Sequence, residues 1–81
     1  MNLKIILFAA ARDLCESPEV EIELPESSTI ADLKTELAKT FPQLQPILAR
    51  SAISVDHQYA GDRIELKASN EIAIIPPVSG G

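Results

Sequence analysis

The sequence predicts one α+β domain in which a mixed sheet packs on a single main helix. Three observations predict it. Short apolar runs stand at both ends of the chain, over residues 3–8 and 71–75. Residues 19–24 alternate Glu with Val, Ile and Leu, the period-two pattern of a strand with one wet face. Ile30, Leu33, Leu37 and Phe41 recur at helical spacing and define one apolar stripe.

Residues 3–8 are rich in β-forming side chains and read as a central first strand. Residues 9–15 are Ala-rich, with Arg12 and Asp13, and read as a short helical turn that Ser17-Pro18 breaks. The Glu-alternating strand belongs at or near a sheet edge, where solvated glutamates discourage edge-to-edge pairing. After a turn over residues 25–28, Thr29 is placed to cap the main helix. The Asp32 carboxylate falls in its first turn, near the positive end of the helix dipole. Pro42 ends that helix, because a residue preceding proline is pushed out of the α region. Residues 43–49 have room for one more short turn.

A third strand is expected over residues 52–55, leading into Asp56-His57-Gln58-Tyr59. A Gly61-Asp62 turn, a short Ile64-Glu65-Leu66 segment and Ser69-Asn70 precede the last strand. With the helix and middle strands as crossover, the first and last strands are expected side by side and parallel in the sheet centre. The organisation is a domain over residues 1–75 and an extended tail over residues 76–81.

Composition narrows the function classes. A chain of 81 residues buries only a little over ~60% of its unfolded surface, enough for one core. Hydrophobic content of 46% beside 23% charged residues describes a globular protein and not a disordered one. No apolar run approaches the ~18 residues of a membrane span. Met1-Asn2-Leu3-Lys4 leads straight into strand-like sequence, unlike a signal peptide. The single Cys15 has no internal disulfide partner, and a cytoplasmic location is expected. The formal net charge is −5, with Glu16, Glu19, Glu21, Glu23 and Glu26 clustered early. The seven Lys and Arg residues are scattered without interleaved aromatics, which argues against nucleic-acid binding. An acidic body favours a partner with a basic docking surface.

No catalytic set is visible within the chain. His57 lacks a nucleophile or metal partner nearby in sequence and reads as a solvated turn residue. Cys15 has no local base and reads as an idle thiol. The glutamates of the second strand alternate with core residues and form a solvated face. Gly61-Asp62 lacks phosphate-loop context. Phe8 and Ile75, by residue type alone, read as core. No metal site and no bound cofactor are expected.

The informative segment is Pro76-Pro77-Val78-Ser79-Gly80-Gly81. Proline has no N–H and a fixed φ, so Pro76-Pro77 cannot extend a ladder and leaves the sheet as a stiff arm. Extended, residues 76–81 reach about 20 Å at roughly 3.3 Å each. Glycine lacks a Cβ, so Gly80-Gly81 fits a channel too narrow for other residues. The α-carboxylate of Gly81 is ionised at neutral pH and is a poor electrophile until activated, most simply as an acyl-adenylate. An amine then gives an amide conjugate, whereas a sulfur donor gives a thiocarboxylate. Both routes require an outside enzyme with ATP, and the chemistry does not choose between sulfur carrier and protein tag.

Over nearly its whole length the chain resembles the small, sulfur-carrier subunits of molybdopterin synthase. The residues that carry the likeness are Ala73-Ile74-Ile75-Pro76-Pro77-Val78-Ser79-Gly80-Gly81, Leu7-Phe8-Ala9 with Arg12-Asp13, and Val55-Asp56-His57-Gln58-Tyr59. The resemblance implies a β-grasp, or ubiquitin-like, fold. It also implies a non-catalytic role: Gly81 is adenylated by a ubiquitin-activating-type enzyme, thiocarboxylated, and inserted into the large subunit's active site. The sulfur then passes to cyclic pyranopterin monophosphate, building molybdopterin for the molybdenum cofactor. Gly80 gives the slim approach, and Phe8, Ile75, Pro76, Pro77, Val78 and Ser79 contact the partner, within a heterotetramer. A ubiquitin-like modifier joined through Gly81, or a carrier for another thiolated product, is the alternative. The chain departs from the family pattern twice. Asp56 stands where Asn is expected, and Ser69-Asn70-Glu71 replaces a Gly-Asp-Glu turn.

Overall fold

The strands run β1 (Asn2–Leu7), β2 (Glu19–Glu23), β3 (Ala52–Val55), β4 (Gln58–Tyr59) and β5 (Ile72–Ile75) in a computed structural model that describes residues 1–77. They form one sheet in the order β2-β1-β5-β3-β4. β1 and β5 are parallel at the centre, Leu7 lying opposite Ile74, and every other pairing is antiparallel. This is the β-grasp arrangement expected above, with the Glu-rich β2 at one edge.

Helix α1 (Ala9–Cys15) begins directly after β1. The first strand stops at Leu7, one residue earlier than the sequence suggests. The Phe8 carbonyl accepts from Ala11 N–H (3.1 Å) and Arg12 N–H (3.4 Å), so Phe8 caps the helix instead of extending the ladder. Glu16, in the left-handed region at φ 52°, closes α1.

The main helix, α2 (Ile30–Thr40), starts in a reciprocal capping box. Thr29 N–H donates to Asp32 Oδ2 at 2.9 Å, and Asp32 N–H donates to Thr29 Oγ1 at 3.4 Å. Two otherwise orphaned donors are thereby satisfied. Ile30, Leu33 and Leu37 are fully buried beneath the sheet, and Phe41 is partly buried against the same core. Phe41 leaves the helical region (ψ 74°) ahead of Pro42, as expected before a proline. Residues 43–49 hold more than one turn. A 3₁₀ turn (Pro42–Leu44) runs into α3 (Gln45–Leu48), which buries Leu44 and Leu48 and closes the end of the core.

From the sheet the core takes Leu3, Ile5, Leu7, Val20, Ile22, Ile53, Ile72 and Ile74, all on the face covered by α2. The short 64–66 segment makes a single bridge, Thr29 opposite Glu65, and inserts Leu66 into the core. β3 and β4 are joined by Asp56 and His57, both left-handed at φ 52° and 70°. Positive φ at both loop positions gives the turn whose twist matches a two-residue hairpin.

Candidate functional site

Strand alternation leaves the second face of the sheet without a helix. Along it lie Asn2, Lys4 and Ile6 of β1, opposite Glu23, Glu21 and Glu19 of β2. Ala73 sits between Ile6 and Ser54, Ala52 pairs with Ile75, and Tyr59 stands opposite Ser54. Small residues at the centre, with larger ones around them, make a hollow of about 380 Å³. Its lining is Ile6, Phe8, Ser54, His57, Tyr59, Glu71, Ala73 and Ile75.

Phe8 and Ile75 come together for a topological reason. They follow Leu7 and Ile74, which are paired at the same ends of two parallel strands. The core place that residue type alone suggests for Phe8 is therefore not where it lies: the residue is 49% exposed at the rim. One residue beyond buried Leu7, the alternation turns it outward. Ile75 is only partly buried.

The tail begins beside this pair. Ala52 and Ile75 form the last pair between β3 and β5, and Pro76 has no N–H to extend the ladder. Pro76 is buried and fixes the root of the tail, while Pro77 is exposed. Val78, Ser79, Gly80 and Gly81 lie outside the described residues.

His57 is the solvated turn residue expected from sequence, whereas nothing in the sequence placed Tyr59 on this face. Tyr59 is 76% exposed, the most exposed of the large hydrophobic residues bordering the hollow. Its alternation with Ser54 becomes legible only once the two-residue turn sets the register. His57 Nε2 lies 3.0 Å from Glu71 Oε2 at the opposite rim.

Among the described residues, the other reactive groups do not converge on one centre. Burial pushes the Cys15 thiol above its ordinary range, which lowers the thiolate fraction at neutral pH. Among the described residues, no three His, Cys, Asp or Glu side chains are grouped as a metal site requires. No helix among them is long and apolar enough to cross a membrane. The geometry suits docking: an open, largely apolar hollow with Pro76 and Pro77 leaving its border.

The sequence profile of the ThiS family matches residues 5–81, through the final glycines. This chain belongs to the ThiS family. Two relatives are molybdopterin synthase sulfur carrier subunits. That of Caenorhabditis elegans is 36% identical over 83 residues, spanning 100% of this chain and 99% of its own. That of Arabidopsis thaliana is 33% identical over 81 residues, spanning 100% and 84%. Among solved structures, SAMP1 from Haloferax volcanii superposes with a TM-score of 0.87 at 22% identity, covering 100% of both chains. A chain from a Helicobacter pylori complex of subunits 1 and 2 of molybdopterin-converting factor gives 0.71 at 20% identity, again covering 100% of both. At those identities the likeness shows the ubiquitin-like fold of this ThiS family member.

Proposed function

We propose that this ThiS family chain is the sulfur-carrier subunit of a molybdopterin synthase, a non-catalytic partner of a large catalytic subunit. The observation that carries the reading is the family match running through Gly81, on relatives that are themselves sulfur carrier subunits. The Gly81 carboxylate attacks the α-phosphorus of ATP on an activating enzyme of ubiquitin-activating type, releasing pyrophosphate and forming an acyl-adenylate. Hydrosulfide attacks the acyl carbon, the acyl–phosphate bond breaks to release AMP, and a thiocarboxylate is left. The arm that starts at buried Pro76 carries this group into the large subunit, where its sulfur bonds to cyclic pyranopterin monophosphate and hydrolysis of the acyl–sulfur bond returns the Gly81 carboxylate. The open sheet face, with Phe8 and Ile75 at its border, rests against the partner while the tail is inserted. ATP and catalysis belong to the partners, and the cytoplasm is the compartment that fits a single unpaired cysteine.

The test is the intact mass of the protein after incubation with ATP, the activating enzyme and a sulfide source. The expected result is replacement of one terminal oxygen by sulfur, absent when Gly81 is deleted. High-mass protein adducts with no thiocarboxylate would overturn the reading in favour of a modifier.

A further inference from the structure

We infer that the carboxylate row of β2 orients the docked partner, and that the partner fits by an apolar protrusion flanked by a row of Lys or Arg side chains. The inference rests on the docking role proposed above and adds the chemistry of the opposing surface. Glu19, Glu21 and Glu23 all point to the open face, each across from a β1 residue: Ile6, Lys4 and Asn2. Glu19 therefore adjoins the floor of the hollow directly, since cross-strand neighbours have Cβ atoms about 5 Å apart. The row runs away from the hollow along the free edge of the sheet.

Charge on this face is one-sided. Among its strand residues the one cation is Lys4, and its ammonium is already 3.4 Å from Glu19. Glu21 and Glu23 are exposed and take no part in an ion pair among the described residues. A second copy of this chain would bring the same carboxylates toward its own acidic face, which like-charge repulsion disfavours. A basic strip satisfies them and fixes the rotation of the partner about the hollow. The tail root beside Ile75 is thereby directed to one place on the partner. Rim charges of this kind act mainly on association rate and its salt dependence.

The experiment measures association of the full chain with the purified large subunit of the same organism's synthase, by stopped flow, at about 50 mM and about 500 mM salt. Glu23→Lys reverses one charge of the row opposite neutral Asn2, so no like-charge cross-strand pair is made. Glu36→Lys makes the same net change on α2, beneath the other face of the sheet. The expected result is association slowed about threefold to tenfold by Glu23→Lys at low salt, with the difference lost at high salt, and a rate near wild type for Glu36→Lys. Equal slowing by both variants, or by neither, overturns the inference. If Phe8→Ala weakens the complex while Glu23→Lys does not, the docking face stands and only the basic strip fails. A wild-type chain that does not bind the large subunit overturns both.

Discussion

Asn70 donates from Nδ2 to Asp56 Oδ2 at 2.8 Å, tying the β3–β4 turn to the residues that launch β5. The same carboxylate accepts from Glu71 N–H through Oδ1 at 2.8 Å, while Asp56 N–H donates to the Glu71 carbonyl at 2.7 Å. Asn70 in turn accepts from Lys67 N–H at 2.6 Å. The resemblance drawn from sequence expects an amide after the mid-chain valine and a carboxylate before the last strand. In this chain Asp56 and Asn70, which lie within the two departures from that pattern, face each other as acceptor and donor. Their hydrogen bond ties the turn to the start of the central strand that bears the tail.

The clasp gives a cycle that can be measured. Asp56→Asn sets two amides against each other, and the expected loss is about 1 kcal/mol, the usual net worth of one hydrogen bond. Adding Asn70→Asp restores a donor facing an acceptor and recovers most of it. Chemical denaturation of the two single variants and the double variant reads the coupling. Additive losses would show that the pair is not coupled.

Phe8→Ala separates docking from folding. The residue is half exposed, so stability is expected to fall by only about 1 kcal/mol, well short of a core Phe→Ala change. Affinity for the large subunit is expected to fall about tenfold or more, as for an aromatic anchor at an interface. Calorimetric titration beside a melting curve checks both. A variant that melts early and binds normally would return Phe8 to a structural role.

Leu37→Ala tests the grip of the sheet on α2. Leu37 is fully buried, and the expected cost is about 2–5 kcal/mol. Thr29→Ala removes one arm of the capping box and is expected to cost about 1 kcal/mol. Urea unfolding ranks the two, and the core variant is expected to lose more.

Deleting Gly81 is expected to abolish thiocarboxylation and sulfur transfer without changing the melting temperature. The ladder ends with Ile75 and the buried anchor is Pro76, both upstream of the deletion. Mass spectrometry and a melting curve on one preparation give both readouts.

Cys15 predicts a pH dependence of defined sign. Its folded thiol titrates above the ordinary thiol range because burial disfavours the thiolate. The unfolded chain therefore releases that proton first, and the Cys15 contribution to stability falls as pH rises through the ordinary thiol range. Alkylation of Cys15 in the folded protein is expected to be slower than in the urea-unfolded chain at the same pH. Equal rates would show that the thiol is not shielded.

Much of the fold was legible because local chemistry dictated it. Thr29 and Asp32 announce their capping box by spacing, and the Ile30, Leu33, Leu37 stripe fixes which side of α2 is buried. The glutamates of β2 mark an edge, because a central strand with one open face need not carry a charge at every outward position. Other features had no local signal. Phe8 is an aromatic after an apolar strand, and only its place beyond Leu7, where the carbonyl caps α1, turns it outward. Tyr59 enters the hollow through a turn with positive φ at Asp56 and His57, residues that tolerate that conformation but do not mark it as a glycine would.

The sequence by itself determined the α+β class, the helix and its cap, the glutamate-lined edge and the stiff Pro76-Pro77 exit, since each follows from periodicity or from proline's missing N–H. The parallel pairing of β1 and β5 was expected from their places at the two ends of the chain. Tertiary structure decided the register that brings Phe8 and Ile75 together at the root of the tail, and that Ile6, Ser54, Tyr59 and Ala73 share one hollow. The physical reason is that strand partners are chosen by burying the whole core at once. Residues far apart in the chain become neighbours only when every apolar face has found its cover.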